Sequence, residues 1–130
     1  MDAAQALADL TEISSQIEAA VLFDEVGEIA GSTLANEEAS RALVRAASAL
    51  LERAESLRSD GHDVTQLEAA TRDGSVFVVR GGSQRIVATT GRNPTVGLVF
   101  YDLKSCLRGT AENPPGQEPA PAKRESDGGA

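Results

Sequence analysis

A chain of 130 residues can build one hydrophobic core of ordinary size and not two. Its 41% hydrophobic and 25% charged residues are the balance of a folded globular protein, while a formal net charge of -8 sets it against phosphate backbones and anionic headgroups as partners. Only 3% of residues are aromatic and Trp is absent, so Leu, Val, Ile and Ala must fill the core and platforms for base stacking are lacking.

From Asp2 to Ile13, Ala3, Leu7 and Leu10 recur at helical spacing with Ala6 and Ile13 beside them, which predicts a short first helix. Ile17, Ala19, Val21 and Phe23 then alternate with Glu18, Ala20 and Leu22, the period of a strand with one strongly apolar face. Gly27 suits a tight turn over Asp24 to Gly27, and the return strand is Glu28 to Thr33. A long helix is expected from the N-cap Asn36, with Glu37 and Glu38 near its positive end, to about Ser59. Ala39, Leu43, Ala46, Ala47, Leu50, Ala54 and Leu57 fall on one side of it, Val44 and Leu51 on one edge, Ala42 and Ala49 on the other. That arc is wider than the ~100° a helix needs to lie on a sheet, so a second element should cover one edge. Ala42, Ala46 and Ala49 are small enough to admit another helix closely, and a symmetric copy is the simplest candidate.

Three strands follow: Val64 to Thr71, Ser75 to Arg80 and Arg85 to Thr90, joined by Asp73-Gly74 and Gly81-Gly82-Ser83. Asn93-Pro94 reads as an N-cap followed by proline at the first helical position. The last helix carries the stripe Val96, Phe100, Leu103 and Leu107, with Gly97 allowing close approach and Gly109 as its C-terminal cap. The expected fold class is α+β: a five-stranded antiparallel sheet in α-β-β-α-β-β-β-α order, with the long helix on one face and two short helices on the other. Residues 1–110 form this domain. Residues 111–130 hold four of the five prolines and no apolar side chain larger than Ala, and read as a disordered acidic tail.

Chemistry is sparse. The one histidine, His62, sits in a polar loop with no second His or nearby Cys to make a zinc set, and is expected to be exposed. Cys106 has no histidine to activate it and reads as a small structural hydrophobe beside Val99. The acidic pairs Asp24/Glu25 and Glu37/Glu38 fall in a turn and at a helix start, where carboxylates have structural work. Gly81-Gly82 lacks the Lys-Ser/Thr pair of a phosphate loop, and no GxGxxG is present. No enzyme activity and no cofactor are therefore expected. Ten arginines stand against two lysines, and Arg41 and Arg45 share the polar face of the long helix, where a partner could use them. A single cysteine, no signal-peptide pattern and no apolar run approaching ~20 residues make the cytoplasm the expected compartment, without integral membrane association.

The strings IEAAVLFDEVGEIAGS, ANEEASRALVRAASALLERAESL, VFVVRGG leading to RIVATT, and NPTVGLVFYDLKSCL, in this order over residues 2–109, resemble the Roadblock domains. Roadblock domains are named after dynein light chains and are widespread in bacteria beside small GTPases. The resemblance implies a homodimer joined through the long helices and through the strand after them, here Val64, Gln66, Leu67 and Glu68 together with Ala42, Ala46 and Ala49. It also implies a Ras-like small GTPase as partner, bound on a platform of paired helices carrying Arg41, Arg45, Glu52 and Glu55. No catalytic residue comes with it. A structural adaptor or scaffold is the alternative function, and a small-molecule sensor on a profilin-like sheet ranks last because no spare cluster of polar groups marks a pocket.

Overall fold

The computed structural model describes residues 2–58 and 63–111, the last by its backbone alone. Its elements run α1 (Ala3–Ile13), β1 (Ile17–Asp24), β2 (Ile29–Ser32), α2 (Glu37–Ser56), β3 (Gln66–Ala70), β4 (Ser75–Gly81), β5 (Gln84–Thr90) and α3 (Val96–Ala111). The five strands form one antiparallel sheet in the order β2-β1-β5-β4-β3.

Local chemistry fixes the ends of the elements. Asp2 caps α1 by accepting from the Gln5 amide at 2.8 Å, and Asn36 caps α2 by accepting from the Ala39 amide at 3.0 Å. Between β1 and β2, Asp24 Oδ1 accepts from the amides of Val26 and Glu28 while Gly27 takes φ +87°. Gly82 takes φ +62° in the turn from β4 to β5.

The central strands β1 and β5 pair with Val21 opposite Val87 and Leu22 opposite Ile86. Successive side chains point to opposite faces, so each strand supplies two cores. On one face Leu22, Phe77, Val79 and Ile86 pack with Leu7 and Leu10 of α1 and Val99 and Leu103 of α3. There Phe77 meets Phe100 edge-on with ring centroids 5.0 Å apart. On the other face Val21, Phe23, Val78 and Val87 pack with Val44, Ala47 and Leu51 of α2. The α+β class, the element order and the division of helices between the faces agree with the sequence expectation.

Several details differ. β1 is apolar on both faces rather than one, because it lies inside the sheet with helices above and below. The sheet-facing stripe of α2 is Ser40, Val44, Ala47 and Leu51, so the edge holding Val44 and Leu51 is the inner one, and Ala39, Ala46 and Leu57 are exposed. Periodicity gives the width of an apolar arc, whereas burying a Val or Leu contributes ~1.5–3 kcal/mol and an Ala much less, so the larger side chains turn inward. Ser40 is buried through its hydroxyl contact with Ser32 of β2 at 2.7 Å. Ile13 is 72% exposed.

Asn93 is not a cap; its φ of +57° makes it a left-handed turn residue, which Asn tolerates. α3 starts after Thr95, whose carbonyl accepts from Val99 and whose amide donates to Gln16 Oε1 at 2.6 Å, so a contact with the turn between α1 and β1 sets the helix start. Gly109 continues the helix instead of ending it, since packing on α1 overrides its weak propensity. Gly97 approaches nothing: a Cβ there would find open space. α2 ends at Ser56, and β2 and β3 are shorter than expected at Ile29–Ser32 and Gln66–Ala70. His62 and the tail lie outside the described residues.

Gly74 is required for a steric reason. A Cβ there would sit 2.1 Å from the Thr90 carbonyl oxygen, which is backbone and cannot swing away. Gly74→Ala is expected to destabilise the fold by about 1–3 kcal/mol, whereas Gly97→Ala, in open helical space, should stabilise it by up to ~1 kcal/mol. Urea unfolding of the two variants beside the parent checks both signs.

Candidate partner-binding surface

Two helices, α1 and α3, share one face. On the other lies α2 alone, from Ser40 against Ser32 of β2 to Glu55 paired with Arg80 of β4. At the margin towards β3, Leu43 of α2 with Val64, Leu67 and Val76 is only partly buried, at the rim of the core beneath the helix. The flank of α2 formed by Ala39, Ala42, Ala46 and Ala49 is exposed.

β3 is an edge strand, paired with β4 on one side only. Of the residues expected to form the dimer contact, Val64, Gln66 and Leu67 are half-buried. Glu68 is exposed, its carboxylate accepting from the Ser75 hydroxyl at 3.1 Å.

The opposite flank of α2 forms one wall of an open cleft of about 690 Å³. All four residues expected on the partner surface, Arg41, Arg45, Glu52 and Glu55, line it. Sequence reasoning missed the facing wall: Glu25, Val26 and Gly27 from the β1–β2 turn, and Arg80 and Arg85 from the strand ends beside the β4–β5 turn. Ala49 also borders the cleft. Val26 is 81% exposed at its rim, an apolar tip among charges. An unpaired valine in the DEVGE turn was the available signal; the arginines, far apart in sequence, gave none.

Arg41 pairs with Glu37 at 2.6 Å and Arg45 with Glu38 at 3.5 Å, all four side chains being mostly exposed. Such pairs are worth ~0–1 kcal/mol, so both guanidinium groups can turn to a partner at little cost. Arg80 is held differently. Its Nε and Nη2 donate to the Val64 carbonyl at 3.0 and 2.7 Å, and Nη2 also pairs with Glu55. The Arg80 amide donates to the Thr65 carbonyl at 2.8 Å. One side chain thus ties the end of α2 to the approach to β3. The hydrogen bond from Arg80 holds the Glu55 carboxyl below its ordinary value, with further lowering by the Arg80 charge and a Val64 backbone hydrogen bond against a smaller desolvation effect.

Cys106 is buried, its Sγ 3.6 Å from the Ala6 carbonyl, and burial pushes the thiol up to about 11, with the Asp9 charge adding to it. It packs as the small hydrophobe expected from the sequence. Among the described residues, no group of three or more His, Cys, Asp or Glu side chains could hold a metal ion, and no helix is long and apolar enough to cross a membrane.

No protein-family model and no curated protein sequence matches the chain. Solved structures do. A Roadblock/LC7 domain from Streptomyces avermitilis superposes with a TM-score of 0.77 at 18% identity, covering 85% of this chain and 96% of that one. MglB of Myxococcus xanthus gives 0.62 at 13% identity, covering 84% and 82%, and the gliding protein MglB of Thermus thermophilus gives 0.62 at 15%, covering 84% and 85%. The chain has the Roadblock fold, as the resemblance in its sequence implies.

The Arg80–Glu55 pair makes a pH dependence testable. A carboxyl whose folded pKa is depressed adds stability that is present above its ordinary value of 4.5 and is lost as pH falls through the folded value. Between pH 6 and pH 3 the melting temperature of wild type should therefore fall more steeply than that of Glu55→Gln. Parallel profiles would show that this pair contributes nothing to acid sensitivity.

Proposed function

We propose that the chain is a homodimeric, non-catalytic binding module that regulates a Ras-like small GTPase. The observation that carries this reading is that α2 presents an exposed alanine row and an arginine-lined cleft, while β3 leaves one strand edge open. Two copies joined through Ala42, Ala46 and Ala49 and through β3 at Val64, Gln66, Leu67 and Glu68 would bury the uncovered margin of each sheet and satisfy the edge strand. The pairing brings two clefts to one platform. Arg41, Arg45, Glu52 and Glu55 then offer charged groups, and Val26 an apolar anchor, in the mixture of arginine and apolar contact typical of binding hot spots. The Roadblock fold adds support, since the resemblance in the sequence implies a GTPase partner of this class.

A non-catalytic role fits a site built from arginine and glutamate side chains with ordinary structural partners, and the partner's own residues would carry out hydrolysis. Dependence on nucleotide state would come from contact with switch segments that differ in order between the GTP and GDP forms.

Light scattering at tens of micromolar should give the mass of a dimer, and Ala46→Arg should shift it towards monomer by burying an unpaired charge. A monomeric wild type would remove the dimer from the proposal. For the partner, a Ras-like GTPase loaded with GDP or with a non-hydrolysable GTP analogue is titrated against the protein. Wild type should distinguish the two states, and Arg41→Glu/Arg45→Glu should weaken binding at least tenfold. Equal affinity for both states would favour a scaffold, and unchanged binding by the double variant would remove the cleft.

A further inference from the structure

The face of the sheet opposite α2 carries a second groove, of about 320 Å³, between α1 and α3. Gln16 of the β1 approach reaches Thr95 at the start of α3, and Cys106 reaches Ala6, so the two helices run antiparallel and the groove follows both. Ala6, Leu10 and Gly109 give it an apolar lining. At one end Ile13 is 72% exposed and Tyr101 63%, with Leu98 half exposed one turn earlier on α3. Two large apolar side chains left in water at one groove mouth, with a third a turn away on α3, are a contact surface without its contact.

Its polar groups are one-sided. Asp9 and Asp102 line the groove, and α1 carries only acidic charges; no Lys or Arg precedes Arg41 in the chain. Of the two cations on α3, neither Lys104 nor Arg108 lines the groove, and Arg108 donates to Ser105 at 3.1 Å. Asp9 accepts from Gln5 at 2.9 Å. Asp102 is different: it is 7% exposed, and among the described residues no hydrogen bond or ion pair holds its carboxylate. Its carboxylate is open to the groove and has no cation among the described residues to pair with, so a cation brought in by a partner would meet an unengaged acceptor.

We infer that the α1/α3 groove is a second docking surface, for a basic amphipathic helix of a protein partner. An arginine from that helix lies across Tyr101 and turns its guanidinium to Asp102 and Asp9, while apolar side chains one turn away cover Ile13 and Leu98. The paired α2 helices and this groove lie on opposite faces of the sheet, so the two partners can bind together. The inference does not rest on the GTPase reading.

Tyr101 is the only tyrosine and Trp is absent, so intrinsic tyrosine emission of the full chain reports this groove alone. The probe is a capped peptide of about 15 residues, helical, with Leu and Arg at i, i+3, i+4 and i+7 and no aromatic residue, beside a twin with Glu in place of Arg. The Arg peptide should change Tyr101 emission saturably and its twin should not. Asp102→Asn should weaken binding about tenfold or more while leaving the melting temperature of the free protein little changed, because the carboxylate has no partner among the described residues to lose. Equal affinity of wild type and Asp102→Asn for the Arg peptide would overturn the inference. So would a lower melting temperature of Asp102→Asn, which would mean that the carboxylate has a structural partner. If deleting residues 112–130 alone shifts Tyr101 emission as far as the peptide does, the occupant is the chain's own basic pair Lys123 and Arg124, and the partner helix is refuted.

Discussion

A sheet that is apolar on both faces has to be covered on both, and here the cover is unequal. β1 and β5 sit at its centre with Val21 and Val87 facing one way and Leu22 and Ile86 the other, all fully buried. Two helices close one face and a single helix closes the other. What remains is a margin of half-buried Leu43, Val64, Leu67 and Val76 beside an open strand edge. The alanines of α2 are exposed because the helix turns Val44, Ala47 and Leu51 to the sheet and has small residues left for its outer flank.

The same helix organises the charges. Its polar sector faces the β1–β2 turn and the strand ends flanking the β4–β5 turn, so residues from four elements meet in one cleft. Arg80 joins that cleft to the strand edge, since its guanidinium bridges Glu55 of α2 and the Val64 carbonyl just before β3. The approach to the edge strand is therefore fastened at the cleft. A partner that drew Glu55 away from Arg80 would loosen the start of β3, whereas one that left the pair intact would bind a preset platform.

How much of this was legible beforehand depends on the kind of signal. Hairpin turns, helix caps and apolar periodicity are local, and they placed every element in order; Asn36 and Gly27 act as read. What failed needed tertiary knowledge. Asn93-Pro94 has the local form of a helix start, but the start is set by Gln16, which is remote in sequence. Gly97 and Gly109 were given roles by rule, yet one faces open space and the other stays in the helix. The wide arc of α2 was visible, but which edge faced inward turned on side-chain volume. In the cleft, the wall contributed by α2 was legible because helical spacing groups Arg41, Arg45, Glu52 and Glu55. The facing wall was not, because Glu25, Val26, Arg80 and Arg85 come together only when β1, β4 and β5 align.

Charge placement separates the two surfaces further. An acidic molecule steers basic partners towards itself, and its local fields decide where they land. α1 contributes only negative charge to the α1/α3 face, whereas four arginines interleave with three glutamates in the cleft. An interleaved surface reads register, because a partner shifted by one position meets like charges, and that suits discrimination between closely similar states of one protein. A one-signed apolar groove around a buried Asp102 reads a single cation and its neighbours, and that suits a short segment. Between them lies the centre of the sheet, where Val21, Leu22, Ile86 and Val87 are fully buried, so both surfaces are built on the tightly packed part of the fold.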